Sequence, residues 1–236
     1  HFNGGSGESA VDSAGMGRDG ILHNSMVWSD TGRFGGSICF DGQNDWIEIP
    51  EDPLQGLSHS DFTFEMWFLM LSLPADSCTL VQWGDVDSSK IRLILDSSDG
   101  IKCSVWNSSG VKHTLFRDNF IDSMNINQWY HVAISNDGEY LRLLLNNSVL
   151  DSVLWQGRLN LDEKKFFTLG DSSSTADHFH GLIDEFRVSR ISRMNWEYNV
   201  LPPDMDIDKE ELNFATVFKG QSRPMTFMIT NNGDQD

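Results

Sequence analysis

Cysteine is scarce in this chain, and a long apolar run is missing altogether. The three cysteines in 236 residues, Cys39, Cys78 and Cys103, do not form the C-x-x-C spacing typical of zinc and redox sites. Three cysteines cannot all pair within one chain, so one disulfide at most is compatible with the count, and the spacing does not assign it. No stretch of about 18 apolar residues occurs, so no transmembrane helix or membrane insertion is predicted.

Basic side chains are also few. Lysine and arginine total 17 against 35 aspartate and glutamate residues, which gives a formal net charge of −18. Such a charge repels the phosphate backbone of nucleic acids and the surface of anionic membranes, so neither is predicted as a partner. An acidic chain can instead hold Ca²⁺ through clustered carboxylates and carbonyls, although a solubilising surface explains the same composition.

The chain is rich in short segments in which apolar and polar residues alternate. In one of them Phe62, Phe64, Met66 and Phe68 fall on one face at period two. From this point onward the predicted strands are 62–71, 78–83, 90–95, 101–106, 112–116, 129–135, 140–145, 166–169 and 182–189. Turns rich in Gly, Asn, Asp and Ser separate many of them. Many short strands joined by such turns predict an all-β, antiparallel two-sheet sandwich.

Longer motifs resemble one known family. The segment Gly35 to Phe68 fits nearly every position of the pattern G-x-(A/S)-hydrophobic-x-F-(D/N)-G-x-x-D, later F-T-hydrophobic-E-hydrophobic-W. Residues 127–133 and 179–188 match a W-x-H-V-A strand and a closing F-x-G-x-I-D-E-hydrophobic-R-hydrophobic strand. On these motifs the chain resembles the laminin G-like jelly rolls of the concanavalin A-like lectin and glucanase superfamily. The resemblance implies a jelly-roll domain over residues 1–201 that ends in a short helix at 192–200.

The composition changes after this domain. Pro202 and Pro203, followed by the acidic run DMDIDKEE, predict a linker at 202–211. Residues 212–236 resemble the first strands of an immunoglobulin-like domain of the Hydin-like or surface-anchored type, a partial second β unit. We therefore expect a parent protein that continues past Asp236 and offers neighbouring domains as partners. Alternatively, this tail adds a strand to a sheet edge.

The resemblance also implies a structural calcium ion that joins the N-terminal region to the closing strand through oxygen ligands. It carries the ligand roles to Asp184, with Asp41 and the Gly42 carbonyl nearby and Asp12 as a further source. The alternative is that Asp41 and Asp12 build Asx turns and that Asp184 accepts hydrogen bonds from loop amides.

Tryptophan, with eight residues, is abundant. An indole ring suits sugar binding because it stacks on the apolar face of a pyranose while polar neighbours orient the hydroxyls. Strand ends and loops supply five candidate ligand-binding residues: Trp83, Asp85, Trp106, Asn107 and Trp155. Each of these tryptophans can equally be structural, which is the role expected of Trp67 and Trp129 from their positions in the family pattern.

No catalytic residues are predicted. Glycanases on this sandwich carry paired carboxylates, typically in an E-x-D-x-(x)-E run, and that run is absent. The nearest pairs are Asp184 with Glu185 and Glu48 with Glu51. Adjacent strand residues such as Asp184 and Glu185 face opposite sides of a sheet and cannot both reach one bond.

These features lead to three expectations for function. The first is a non-enzymatic module for ligand recognition or adhesion, stabilised by Ca²⁺, that binds a glycan or a protein outside the cell or at its surface. The second is a structural spacer without a small ligand, in a cell-surface, ciliary or intracellular assembly. The third is an unusual glycanase that uses Glu48, Asp184 or Glu185.

Overall fold

A computed structural model describes residues 2, 5–15, 17–50, 61–84, 90–98, 100–117, 123–159, 167–170 and 178–194, together with the backbone of 205–207 and 229–231. The chain divides into two compact units, His1–Trp196 and Glu197–Asp236. The strands of the first unit are β1 (Ser9–Ala10), β2 (Gly20–His23), β3 (Val27–Ser29), β4 (Ser37–Asp41), β5 (Trp46–Ile49), β6 (Asp61–Met70), β7 (Ser77–Trp83), β8 (Ile91–Asp96), β9 (Gly100–Trp106), β10 (Lys112–Arg117), β11 (Trp129–Asp137), β12 (Tyr140–Leu145), β13 (Ser148–Leu154), β14 (Phe167–Gly170) and β15 (His180–Ser189).

These strands form two sheets. The eight-stranded sheet has the order β1-β2-β5-β14-β7-β8-β9-β10, and the seven-stranded sheet has the order β13-β12-β11-β6-β15-β4-β3. Every strand pair in both sheets is antiparallel. The prediction of an all-β, antiparallel two-sheet sandwich is therefore confirmed. Among the described residues, no helix is long and apolar enough to cross a membrane.

The core lies between the sheets and follows the period-two pattern of the sequence. From the seven-stranded sheet it receives alternate residues of β6 and β12, and from the eight-stranded sheet alternate residues of β8 and β9. These side chains are Phe62, Phe64, Met66, Phe68, Leu141, Leu143, Leu145, Ile91, Leu93, Leu95, Ile101, Cys103 and Val105, all at most 3% exposed. Because one face of each strand is used in this way, the alternate side chains point out of the sandwich.

Two tight backbone positions determine how strands meet. The β12–β13 hairpin turns at Asn146 and Asn147, whose φ angles of 46° and 64° lie in the left-handed region that Asn tolerates best after Gly. Gly181 on β15 has no room for a side chain, since an added Cβ would lie 2.1 Å from the Leu69 carbonyl oxygen on β6. This contact requires glycine where the closing strand enters the middle of the sheet.

Several elements differ from the sequence-based expectation. Strand β13 was not predicted, because its SVLDSVL segment lies half-exposed at a sheet edge and lacks strict apolar alternation, although Leu150 and Val153 pack against the core. Met205–Ile207, within the predicted linker, is a strand paired with Ile229–Asn231. Residues 192–194 are not helical, and the rest of the predicted helix lies outside the described residues. The remaining immunoglobulin-like strands also lie outside them, so that resemblance stays a prediction.

None of the three cysteines is in a disulfide. Cys78 and Cys103 are buried at 3% and 0% exposure, and burial raises the pKa of the Cys103 thiol far above its ordinary value. Cys39 is half-buried on β4. Cys78 and Cys103 therefore pack as small apolar side chains of the core.

The Trp83 indole is the largest fully buried side chain of the core, and its removal should be costly. We expect Trp83→Ala to lower the free energy of unfolding by about 3 to 5 kcal/mol, because it leaves a cavity that the two sheets cannot close. Urea denaturation followed by circular dichroism measures this. The matched control is Phe116→Ala on the outer side of the same sheet, where a 44% exposed ring should be worth less than about 1 kcal/mol. Equal losses for the two variants would contradict the assignment of Trp83 to the core.

Candidate functional site

The structure does not bring the predicted calcium ligands together. Asp184 is fully buried on β15. Its Oδ2 accepts a hydrogen bond from Phe34 N at 2.9 Å and its Oδ1 accepts one from Glu185 N at 2.7 Å. Asp41 pairs with His180, four residues away from Asp184 along β15, a separation of about 13 Å. Asp41 and Asp184 therefore cannot share an ion in this arrangement.

The other three calcium candidates, Asp41, Gly42 and Asp12, belong to turns. Asp41 Oδ1 accepts a bond from Gln43 N at 2.8 Å across the turn that contains Gly42. Asp12 accepts bonds from Ala14 N at 2.9 Å and Arg18 N at 3.3 Å, and it lines a cavity of about 340 Å³ at the edge of the sandwich. In the described part of the chain, no group of three or more His, Cys, Asp or Glu side chains could hold a metal. The described side chains do not form the implied set of calcium ligands, and calcium binding itself stays a prediction.

Most of the predicted sugar-binding residues are structural. Trp83 is 0% exposed, and Trp155, at 4%, packs against the rings of Phe62 and His113 with centroid distances of 6.2 Å and 4.9 Å. Neither indole can stack on a ligand from solvent, because both strand ends turn their rings into the core. This corrects the expectation for these two residues, which rested on their place beside loops.

Asn107 is likewise a turn residue. It is 3% exposed, its Oδ1 accepts bonds from Ser109 N and Val111 N, and its Nδ2 donates to the Gln156 carbonyl. It thereby holds the β9–β10 connection next to Trp106. Trp106 itself is half-exposed on the outer side of β9, and Asp85 lies outside the described residues. Of the predicted set, Trp106 alone remains a described surface aromatic.

A continuous line of polar side chains crosses the outer face of the eight-stranded sheet. Cross-strand register places one residue from each of β5, β14, β7, β8, β9 and β10 side by side. We call these residues the polar row: Glu48, Thr168, Gln82, Arg92, Ser104 and Thr114. With strands about 4.8 Å apart, the row is roughly 24 Å long.

The polar row follows from the core. The partners of these residues along each strand, such as Ile47, Leu169 and Leu93, face the second sheet and are at most 2% exposed. The row residues therefore face outward, and their side chains include hydrogen-bond donors and hydrogen-bond acceptors. Thr168 and Gln82 in the middle are only 1% and 3% exposed, so the more accessible members of the row lie toward its ends.

A half-exposed tryptophan lies near each end of the polar row. At the β5 end, the Trp46 ring stacks on His23 with centroids 3.9 Å apart and planes 3° apart, while His23 Nε2 lies 3.1 Å from Glu48 Oε2. At the β9–β10 end, the Lys112 ammonium lies 4.9 Å from the Trp106 ring centroid. Both indoles are thus held in place by a neighbouring side chain, as a stacking surface requires.

Two atoms of the row lack hydrogen-bond partners among the described residues. They are Gln82 Oε1 and Arg92 Nε, although Gln82 Nε2 donates to the Gly84 carbonyl and Arg92 Nη2 donates to Thr79 Oγ1. An unpaired buried polar atom costs roughly 1–3 kcal/mol.

The outer face of the seven-stranded sheet holds a different arrangement. The Glu65 carboxylate, 3% exposed, accepts a bond from Arg187 Nε and lies 3.2 Å from His131 Nε2 and 3.6 Å from Arg193 Nε. Beside it, the Arg33 guanidinium lies 4.7 Å from the Trp67 ring centroid. Glu65 is buried and surrounded by cationic groups, which suits a structural clamp between strands β6, β11 and β15.

The predicted glycanase pairs do not form a catalytic centre in the described part of the chain. Asp184 is buried against backbone amides, Glu48 lies on the other sheet beside His23, and Glu51 is outside the described residues. Hydrolysis needs two carboxyl groups that reach one glycosidic bond from a common cleft. The polar row contains a single carboxylate.

Comparison with known proteins agrees with this fold. A laminin G family model, described as concanavalin A-like lectin/glucanases superfamily, matches residues 41–195, about two thirds of the chain. The chain therefore belongs to the concanavalin A-like lectin/glucanases superfamily. A search of curated proteins returned no match.

Solved structures with the same fold are distant in sequence. The binding domain of Paraclostridial Mosquitocidal Protein 1 has a TM-score of 0.65 at 16% identity, covering 80% of this chain and 48% of that one. A botulinum neurotoxin serotype D ligand binding domain in complex with N-acetylneuraminic acid has a TM-score of 0.58 at 15% identity. This match covers 78% of the present chain and 45% of the toxin chain. Domain 4 of AbnA, a GH43 extracellular arabinanase from Geobacillus stearothermophilus, in complex with arabinotriose, has a TM-score of 0.55 at 19% identity. This match covers 75% of the present chain and 84% of the arabinanase domain. The chain spans about half the length of the two toxin chains.

The buried Asp184 carboxyl should make stability depend on pH. Burial raises its pKa from 3.8 to about 6, even though two backbone N–H groups favour the ionised form. Because the folded chain holds this proton more tightly than the unfolded chain, the stabilisation is complete below about pH 4 and is lost as the pH rises through about 6. We expect the free energy of unfolding to fall by up to about 3 kcal/mol between pH 4 and pH 7 through this group.

Two measurements check this expectation. Urea unfolding at several pH values should show that the intact chain and Asp184→Asn differ most in their pH dependence between pH 4 and pH 7. A ¹³C carboxyl titration of the intact chain should show one aspartate that titrates near pH 6. An Asp184 carboxyl that titrates near its ordinary pKa would contradict the burial argument, whatever the stability of the variant.

Proposed function

We propose that this domain is a non-catalytic recognition module that binds an oligosaccharide on the outer face of its eight-stranded sheet. The observation that carries the proposal is the polar row together with the half-exposed indoles of Trp46 and Trp106. Sugars present apolar ring faces and a periphery of hydroxyls, so they need flat aromatic surfaces and mixed hydrogen-bond donors and acceptors. This face supplies both on rigid strands.

The shape of the face favours a chain-like ligand. The polar row is roughly 24 Å long and runs across the strands, so an extended oligosaccharide can lie over successive strands. Half-exposed indoles lie near its two ends, beside Glu48 at one end and close to Arg92 at the other. A monosaccharide would use only one part of this surface, whereas several linked units can contact both tryptophans and the donors between them.

The comparisons support recognition of carbohydrate as the general role. Two of the similar structures were solved with a sugar bound, arabinotriose in one and N-acetylneuraminic acid in the other. We extend to this chain only the class of ligand and place the proposed face by its own residues. Glycans accessible to such a module lie outside the cell or at its surface, and we propose the same location for this domain. Calcium is not part of the proposal.

Tryptophan substitutions on the proposed face should remove binding without unfolding the domain. A glycan array first selects an oligosaccharide, and isothermal titration calorimetry then measures its Kd. We expect Trp46→Ala and Trp106→Ala each to weaken binding roughly tenfold, since a stacked ring contributes on the order of 1 kcal/mol or more to recognition. The matched control is Trp129→Ala, which removes a half-exposed indole from the other sheet and should leave Kd unchanged.

Two results would overturn the proposal. One is an array on which the folded chain binds no oligosaccharide, which would favour the structural spacer instead. The other is a Kd that Trp129→Ala weakens as much as Trp46→Ala does, since binding would then lie elsewhere. Urea midpoints of all variants, compared with that of the intact chain, separate loss of the site from loss of the fold.

A further inference from the structure

Basic side chains gather at one end of the proposed face, although the chain carries a net charge of −18. They are Lys90, Arg92, Lys102 and Lys112, which we call the basic stripe. Lys102 and Lys112 occupy outward positions on β9 and β10, and Arg92 does so on β8. The Lys90 carbonyl accepts a hydrogen bond from Trp106 N at 2.9 Å, which places Lys90 next to Trp106 on the neighbouring strand.

The outward positions of β8, β9 and β10 hold little negative charge. Besides the basic residues they carry Ile94, Asp96, Gly100, Ser104, Trp106, Thr114 and Phe116. Asp96 is their single acidic residue, and it pairs with Gly100 at the far end of both strands. A charge surplus on this patch, in a chain with twice as many acidic as basic residues, indicates a ligand of opposite sign.

The opposite end of the polar row has the reverse character. There the carboxylate of Glu48 lies beside His23 and Trp46. Glu48 and Arg92 are three strands apart, a distance of about 14 Å. A bound oligosaccharide therefore meets different groups at its two ends. One end lies over the Glu48 carboxylate, a hydrogen-bond acceptor, and the other lies over the cations of the basic stripe.

We infer, on the basis of the proposed function, that the ligand is an acidic oligosaccharide whose carboxylate or sulfate group lies over Arg92 and Lys112. Arg92 is the centre of this recognition, because its guanidinium is always charged and keeps N–H donors on Nη1 and Nη2 beyond the bond to Thr79. Its Nη2 bond to Thr79 Oγ1, at 3.3 Å, anchors the head group on the sheet. The Trp106 ring stacks on the sugar that bears the charge, and a neutral unit lies toward Trp46.

The overall negative charge restricts the ligand to a short or sparsely charged chain. Charges separated by more than about 8–10 Å are largely screened at physiological ionic strength, so a local acidic group senses mainly the basic stripe. A long polyanion such as a nucleic acid would reach past the stripe to the acidic remainder of the surface and be repelled.

Matched neutral and acidic oligosaccharides test the inference on the whole chain. One pair is tri-galacturonate and its methyl ester, and the other is a chondroitin sulfate tetrasaccharide and its desulfated, carboxyl-reduced form. We expect at least one acidic member to bind about tenfold more tightly than its neutral partner at 50 mM NaCl, and this preference to shrink at 500 mM. The pair that shows the preference identifies carboxylate or sulfate as the recognised group.

Charge substitutions locate the effect. Arg92→Gln and Lys112→Gln should each lower the affinity for the acidic member more than the affinity for the neutral member, so that the preference for the acidic member is lost. Arg142→Gln is the matched control, since it removes one positive charge on the seven-stranded sheet, where Arg142 pairs with Asp137. Far-UV circular dichroism and urea midpoints verify that each variant folds.

The outcomes separate this inference from the proposed function. Equal, salt-independent binding of neutral and acidic members would overturn the inference and leave carbohydrate binding intact. Absence of binding to any oligosaccharide would overturn both. Competition by a short poly-glutamate peptide as strong as that by the acidic sugar would also overturn the inference, because it would make the stripe a docking surface for acidic peptides.

Discussion

The whole arrangement depends on the dry layer between the two sheets. Apolar residues at period two on β6, β8, β9 and β12 bury one side of each strand at close to zero exposure. Once these side chains are committed to the core, every intervening residue must face outward. Each outward residue lies between two core residues of its strand. Because a shift of the strand by one position would expose its apolar face, the core also determines which residues lie on the outer faces.

The two outer faces have diverged under this constraint. On the seven-stranded sheet, Glu65 is enclosed by cationic partners, Asp184 is bonded to the Phe34 amide, and Thr63 Oγ1 donates to the Ile191 carbonyl. That face is used to hold the chain's own connecting segments. On the eight-stranded sheet, the polar row includes atoms that the described residues leave without partners. The two faces thus differ in what their polar side chains contact: connecting segments on the seven-stranded sheet, and mainly neighbouring strands on the eight-stranded sheet.

The sequence predicts the sandwich well but not the proposed site. Strands such as Tyr140–Leu145 are recognisable because the alternation of their side chains is local. The polar row is not local, since Glu48, Thr168 and Gln82 become neighbours only through pairing of strands far apart in sequence. Trp83 and Trp155 show the same limit. Their positions beside loops are evident from the sequence, but whether the ring faces the core depends on strand register.

Charge distribution matters more here than net charge. The excess of acidic residues argues against polyanionic partners, but composition does not show how the charges are distributed over the surface. The strand registers show that Arg92, Lys102 and Lys112 nevertheless share one face, whose described strands carry two outward carboxylates, Glu48 and Asp96. Because screening confines electrostatic recognition to about 8–10 Å, a short ligand on this face responds to the cations beneath it rather than to the whole molecule. The excess negative charge on the rest of the molecule then favours short anionic ligands, because it repels any anion too long to remain within the basic stripe.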